Sequence, residues 1–169
     1  EEGAPLNAPG EIQVRGMNVC QGYYKNPEAN AQLFTSDGWM HTGDLGTLDR
    51  HNNLFIRGRS KTMILSSNGQ NIYPEEIEEK INSFSLVAES LVVRRADRLV
   101  ALIVPDPEVA QREGLSLEAA WQRIEEFRAQ LNNQVAAYEK VTRFVLQEEP
   151  FVKTPKRSIK RFLYEEKTN

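Results

Sequence analysis

Nine of the ten glycines in this 169-residue chain fall within its first 69 residues, and only Gly114 lies beyond them. Glycine admits positive φ and weakens helix interiors. The early part therefore favours short strands joined by turns, and the later part leaves room for longer helices. Glu11-Ile12-Gln13-Val14-Arg15 ends at Gly16, and Asn53-Leu54-Phe55-Ile56-Arg57 ends at Gly58. Both runs read as half-exposed strands between turns, so residues 1–59 are expected to be all-β. They hold few large apolar side chains for an independent core. This segment reads as part of something larger, and the absence of a starting Met fits an excised piece.

From about Thr62 the pattern changes. Met63-Ile64-Leu65 reads as a short strand and Ser66-Ser67-Asn68-Gly69 as a turn. Pro74 suits a first helical turn, with Glu75 and Glu76 behind it and Ile77, Ile81 and Phe84 at helical spacing. Strands are expected at Ala88 to Arg94 and Leu99 to Val104, the second stopped by Pro105 and Pro107. A longer helix is expected from about Ser116 to Tyr138, with Leu117, Trp121, Ile124, Leu131, Val135 and Tyr138 packed in the core. A third strand, Arg143 to Gln147, precedes Pro150. The fold class read from this order is α+β, a short sheet packed against two helices after a β-rich segment.

Composition narrows the function classes. A single cysteine, Cys20, makes no intrachain disulfide, and two histidines supply no structural zinc set, so no metal site is expected. The net charge of -3 disfavours a dedicated nucleic-acid binder. Residues 150–169 nevertheless carry a local balance of +4, which suits either a phosphate-bearing small molecule or a solvated end. No apolar run approaches the roughly 18 residues of a membrane span. Glu1-Glu2-Gly3-Ala4-Pro5 does not read as a signal peptide, so a reducing, cytoplasmic setting is expected, with membrane association of a longer parent left open.

Three clusters have residue types suited to chemistry. In His41-Thr42-Gly43-Asp44, a glycine bends the chain before a carboxylate, which can hold a ribose diol or simply cap its own turn. Gly58-Arg59-Ser60-Lys61 offers a guanidinium fork for phosphate or ribose, or a solvated surface charge. Lys153 to Arg161 could bring positive charge to a leaving phosphate, or keep the tail soluble.

Taken in order, these clusters resemble the closing half of the adenylate-forming family of acyl- and aryl-CoA synthetases, nonribosomal peptide synthetase adenylation domains and beetle luciferases. The likeness runs from Gly10-Glu11-Ile12-Gln13-Val14-Arg15-Gly16 through Gly22-Tyr23-Tyr24, Asn26-Pro27-Glu28-Ala29-Asn30 and His41-Thr42-Gly43-Asp44-Leu45-Gly46. It continues with Gly58-Arg59-Ser60-Lys61 and Gly69-Gln70-Asn71-Ile72-Tyr73-Pro74-Glu75-Glu76-Ile77-Glu78. The resemblance implies residues 1–60 at the end of a large N-terminal AMP-binding domain and residues 61–169 as a small C-terminal lid, with Lys61 as hinge. It implies nucleotide binding by Asp44, Arg59 and Thr42, and a pantetheine-facing turn at Ser67, Asn68 and Gly69. ATP and CoA would be substrates, and Mg²⁺ would be held by ligands elsewhere. The partners implied are the N-terminal domain, a fatty acid, ATP and CoA.

The tail departs from the family pattern. The usual last motif is threonine-proline-x-glycine-lysine with an arginine three residues on. From Thr154-Pro155 the glycine position is Arg157 and the lysine position is Ser158, with Arg161 in place. Three readings follow: Lys156 or Lys160 substitutes, since residues 156, 158 and 160 of an extended segment share a side; adenylation is slow; or the lid is degenerate. Lys160 is favoured, because basic residues follow Ile159 in long-chain ligases of this type. The wording Asp37-Gly38-Trp39-Met40-His41 and the Lys160-Arg161 pair favour a long-chain fatty-acid-CoA ligase, the piece alone being inactive. The rival is a non-catalytic module binding a partner protein or an anionic ligand through its basic tail. Strand edges in residues 1–59 are expected to be bare and to recruit a neighbouring copy.

Overall fold

The computed structural model describes residues 4–165, and the chain divides into two units, Glu1–Met63 and Ile64–Asn169. In the first, β1 (Gly10–Val14), β2 (Met40–Leu48) and β3 (Leu54–Arg59) form an open antiparallel sheet in the order β1-β2-β3. Residues 1–59 are not all-β: α1 (Pro27–Leu33) lies between β1 and β2. Its signal is local, because Asn26 accepts a hydrogen bond from the Ala29 amide (3.1 Å) and Pro27 opens the helix. Among the described residues of this unit only Gly46 and Thr47 are buried. Leu54, Phe55 and Ile56 on β3 are exposed.

The second unit opens with a small hairpin of β4 (Ile64–Leu65) and β5 (Asn71–Ile72), followed by α2 (Pro74–Asn82). A three-stranded sheet follows, β6 (Val87–Arg95), β7 (Arg98–Pro105) and β8 (Val141–Leu146) in that order. β6 and β7 are antiparallel across Ala96-Asp97, both at positive φ (45° and 59°), as a two-residue hairpin of type I′ sense requires. β8 runs parallel to β7, and the crossover carries α3 (Pro107–Arg112) and α4 (Leu117–Asn132). α3 was hidden by its own prolines. Pro107 stops β7 and also starts a helix, with Asp106 accepting hydrogen bonds from the Glu108 and Val109 amides (both 3.0 Å).

Both faces of this sheet are covered. Val92, Leu99, Ala101 and Ile103 point to the helical face with Ile77, Ile81, Ile124 and Leu131. Leu91, Val93, Val100, Leu102 and Val104 point the other way and are covered by Phe151, with Ile159 and Tyr164 packed alongside. Alternation along β6 and β7 divides the side chains between two cores, so Leu99 to Val104 reads as one unbroken apolar run. The tail is thus a structural layer and not only a solvated basic end.

The long helix ends earlier than the periodicity suggests. α4 stops at Asn132, and Ala137–Glu139 forms a separate 3-10 turn. Asn132 donates to the Val141 carbonyl and accepts from the Val141 amide, both at 2.9 Å. The side chain takes the place of a strand neighbour and turns the chain into β8. Tyr138 (38% exposed) therefore lies outside the core in which the apolar stripe had placed it, and Leu117 (66%), at the first position of α4, is exposed as well.

Candidate functional site

The first cluster sits where β2 meets β3. Gly43 has φ +73° with open space where a Cβ would stand, so backbone conformation rather than crowding requires glycine here. Its carbonyl accepts from the Ser60 amide at 2.9 Å. The Thr42 hydroxyl donates to the Ile12 carbonyl (2.7 Å) and accepts from the Asp44 amide (3.1 Å). Glu11 accepts from the Gly43 amide (3.0 Å) and meets His41 Nδ1 at 2.7 Å. With the backbone fixed from both sides, Asp44 and Arg59 stand opposite in register, and Arg59 Nε lies 2.8 Å from Asp44 Oδ1. Each keeps solvent-exposed surface, so an acceptor pair and a guanidinium fork face outward together.

β3 ends in a turn. The Thr62 and Met63 amides donate to the Arg59 carbonyl (3.2 and 3.1 Å), and exposed Lys61 lies within that turn. The two units meet in sequence directly after it.

In the second unit, Ser67, Asn68 and Gly69 form the tip of the β4–β5 hairpin. The Ser66 amide donates to the Gln70 carbonyl (2.8 Å), the Gln70 amide to Ser66 Oγ (2.9 Å), and Gly69 has φ +75°. This turn borders a cavity of about 160 Å³ lined also by Arg94, Arg98, Tyr138 and Lys140. Arg94 donates to the Leu65 carbonyl (3.0 Å) and pairs with Asp97. Asp97 lines the hollow as well, against Arg94, Arg98 and Lys140, so the wall carries a net positive charge that suits a phosphate-bearing ligand.

The tail is not the extended segment expected at Lys156 to Lys160. The Arg157 amide donates to the Thr154 carbonyl (2.9 Å) and the Thr154 amide to the Ser158 carbonyl (2.8 Å), a tight hairpin in which Lys153 stands opposite Ile159. Lys156 sits in its turn and leaves the alternation that Ser158 and Lys160 still share. Arg157 has φ +63°, a conformation in which glycine is unstrained. Beyond the hairpin, both terminal nitrogens of Arg161 reach Glu78 on α2, at 3.0 and 2.8 Å. Burial pushes the Glu78 carboxyl above the usual range, although the Arg161 fork and the Val92 amide pull it down. Glu78 was named in the sequence only as the end of a motif, with no role, yet one was findable: it lies on the same stripe as Pro74, Ile77 and Ile81, an acidic residue at a buried position. Among the described residues no group of three His, Cys, Asp or Glu side chains could hold a metal ion, and no helix is long and apolar enough to cross a membrane.

Residues 61–168 match the AMP-binding enzyme C-terminal domain. The chain belongs to this family of adenylate-forming enzymes. A 2-succinylbenzoate–CoA ligase of Bacillus cytotoxicus is 41% identical over 114 residues, 64% of this chain and 23% of the relative. A long-chain-fatty-acid–CoA ligase of Mycobacterium tuberculosis is 41% identical over 100 residues, 59% of this chain and 16% of the relative. The o-succinylbenzoate CoA synthetase of Bacillus subtilis, solved with its acyl-adenylate intermediate, superposes with a TM-score of 0.78 at 27% identity, covering 95% of this chain and 31% of that one. The α+β fold of the second unit is thus that of the adenylate-forming C-terminal domain. The chain spans less than a third of the length of each of these proteins, whose names give two different acids, succinylbenzoate and a long-chain fatty acid.

Proposed function

We propose that this chain is the closing part of an ATP-dependent, AMP-forming acyl-CoA ligase acting on a long-chain fatty acid. The observation that carries the reading is the Asp44–Arg59 pair, aligned across β2 and β3 one turn before the boundary between the two units. In the first half-reaction a carboxylate oxygen attacks the α-phosphorus of ATP, the bond to the β-phosphate oxygen breaks, and pyrophosphate leaves. Asp44 accepts hydrogen bonds from the ribose hydroxyls, and Arg59 turns its fork to ribose or phosphate. Thr42 holds the Asp44 backbone while the nucleotide is bound. Lys160 brings positive charge to the phosphates in place of the lysine that Ser158 replaces, with Lys156 as the second candidate.

In the second half-reaction the CoA thiol gives up its proton, its sulfur attacks the acyl carbonyl, and AMP leaves. Lys61 is the residue about which the lid reorients between the steps. The turn at Ser67, Asn68 and Gly69 faces the pantetheine arm, and the cavity walled by Arg94, Arg98 and Lys140 supports an anionic ligand beside it. Mg²⁺ would accompany ATP, and its ligands would lie outside this chain.

A second reading draws on Ser158. With serine in the lysine slot, the lid can be a degenerate module that binds an anionic ligand or a partner protein through its basic tail. One assay separates the two: AMP formation by the full-length enzyme, dependent on ATP and CoA, across acids of increasing chain length. Activity rising toward long chains supports the ligase. Absence of AMP formation with every acid supports the module. Lys156→Ala and Lys160→Ala, with pyrophosphate release as readout, then identify the acting lysine.

A further inference from the structure

The tail hairpin is anchored at a point that its own sequence does not reveal. β6 is an edge strand, so the outward amide and carbonyl of Val92 have no strand neighbour on that side. Two side chains take that place. Glu78 Oε1 accepts from the Val92 amide at 2.6 Å, and Arg161 Nη2 donates to the Val92 carbonyl at 3.0 Å. Glu78 and Arg161, 83 residues apart, also grip each other through two hydrogen bonds of 2.8 and 3.0 Å. Both side chains are largely withdrawn from water, at 11% and 15% exposed. A planar fork held at three points has one orientation, which an ammonium on a flexible stem would not have.

That orientation sets the direction of the residues before it. Ile159 packs on the second core and Arg161 reaches Glu78, so two inward residues flank Lys160. The Lys160 amide donates to the Val152 carbonyl at 2.9 Å, and the Val152 amide donates to the Tyr164 hydroxyl at 2.9 Å, which ties the base of the hairpin from both sides. Ser158 is exposed, and Lys160, half-buried, ends the hairpin strand where the 3-10 turn Arg161–Leu163 begins, so the anchoring of Arg161 fixes the backbone from which Lys160 projects.

We infer that Glu78 and Arg161 are positioning residues for adenylation: their clamp on the edge of β6 fixes the register of the tail hairpin, and so the direction in which Lys160 presents its charge. The inference rests on the reading of the chain as a ligase lid. It separates two functions of the basic tail. Arg161 anchors and touches no substrate, while Lys160 delivers charge. A displacement of about 1 Å in a charge-bearing group costs on the order of 100-fold in rate, so loosening the clamp slows adenylation without removing a reacting group. The thioester step, which does not use Lys160, is left intact.

The test compares Arg161→Lys and Glu78→Gln with wild type in the full-length enzyme. Arg161→Lys keeps the charge and loses the fork, and Glu78→Gln keeps an acceptor and loses the charge. ATP–pyrophosphate exchange is measured for adenylation, and thioester formation from preformed acyl-adenylate for the second step. Amide hydrogen exchange of the 169-residue chain reports on the hairpin. The expected result is a fall in exchange kcat on the order of 100-fold for Arg161→Lys with KM for ATP little changed. Thioester formation should stay near wild type, and the Thr154 and Lys160 amides should exchange about tenfold faster while those of β7 keep their protection. Glu78→Gln should fall between. Equal losses in both half-reactions would mark a merely structural role and overturn the inference, as would variants indistinguishable from an active wild type. A wild-type enzyme that makes no acyl-adenylate would instead overturn the ligase reading, and the inference with it.

Discussion

Asp44 and Arg59 are register partners on neighbouring strands, with Arg59 Nε 2.8 Å from Asp44 Oδ1. The pair is open to water, its side chains 35% and 64% exposed. Such a pair contributes at most about 1 kcal/mol to stability, screened further by salt. Asp44→Ala and Arg59→Ala should therefore shift a urea unfolding midpoint only slightly. On the proposed nucleotide-binding role, each should lower adenylation in the full-length enzyme on the order of 100-fold. Stability losses well above 1 kcal/mol with unchanged adenylation would make the pair a fold element instead.

Arg157 occupies a backbone position suited to glycine, at φ +63°. The left-handed conformation costs a non-glycine residue about 1 kcal/mol. Arg157→Gly should relieve that strain, offset in part by the greater freedom of glycine in the unfolded chain. Adding Ser158→Lys places an ammonium on the outward side of the hairpin beside Lys160. The double variant should hold or raise the melting temperature and speed pyrophosphate exchange in the full-length enzyme. An unchanged exchange rate would show that the slot at 158 no longer faces the nucleotide.

Glu78 makes stability depend on pH. Burial raises its carboxyl above the ordinary value of 4.5, with nearby Glu75 adding to the rise and Arg161 opposing it. The folded chain thus binds this proton more tightly than the unfolded chain. Its contribution to stability is complete below the unfolded pKa and is lost as pH rises through the folded one. Glu78→Gln has no proton to lose. Urea midpoints of wild type and variant, followed from about pH 4 to about pH 7, should move in the variant's favour as pH rises. A pH-independent gap would contradict this direction.

Phe151 tests whether the tail is a structural layer. It is 3% exposed, covers the second face of the sheet and meets the Tyr164 ring edge-on at 5.0 Å between centroids. Phe151→Ala should cost about 3–5 kcal/mol and speed hydrogen exchange at Lys160 and Tyr164 before it does so in β8. A loss within about 1 kcal/mol, typical of surface substitutions, would mean that the tail rests on the sheet without supporting it.

β6 and β7 were legible because they are long apolar runs bounded by a turn and by prolines. Pro74 with its acidic first turn announced α2 equally well. Two of the misses depend on groups brought together by folding rather than on local signals. Asn132 ends α4 by bonding Val141, and Arg161 is drawn inward by Glu78 across most of the unit. The turn at Thr154 to Arg157 escaped notice because an arginine stands where its backbone conformation favours glycine. At the candidate site, Asp44 and Arg59 could be singled out by their glycine neighbours. Their facing each other depends on a register that includes a bulge between Leu45 and Gly46. Arg94, Arg98 and Lys140 come together only once the hairpin and the crossover are folded.

Lys61, in the turn after β3, is the proposed swivel of the lid. Proline at that position would fix φ near -65° and remove the freedom to change. The most direct measurement is therefore both half-reactions in the full-length enzyme carrying Lys61→Pro. Pyrophosphate exchange should stay within a few-fold of wild type, while thioester formation from preformed acyl-adenylate should fall by about 100-fold or more. Thioester formation at the wild-type rate, with the variant folded and adenylating, would contradict the account.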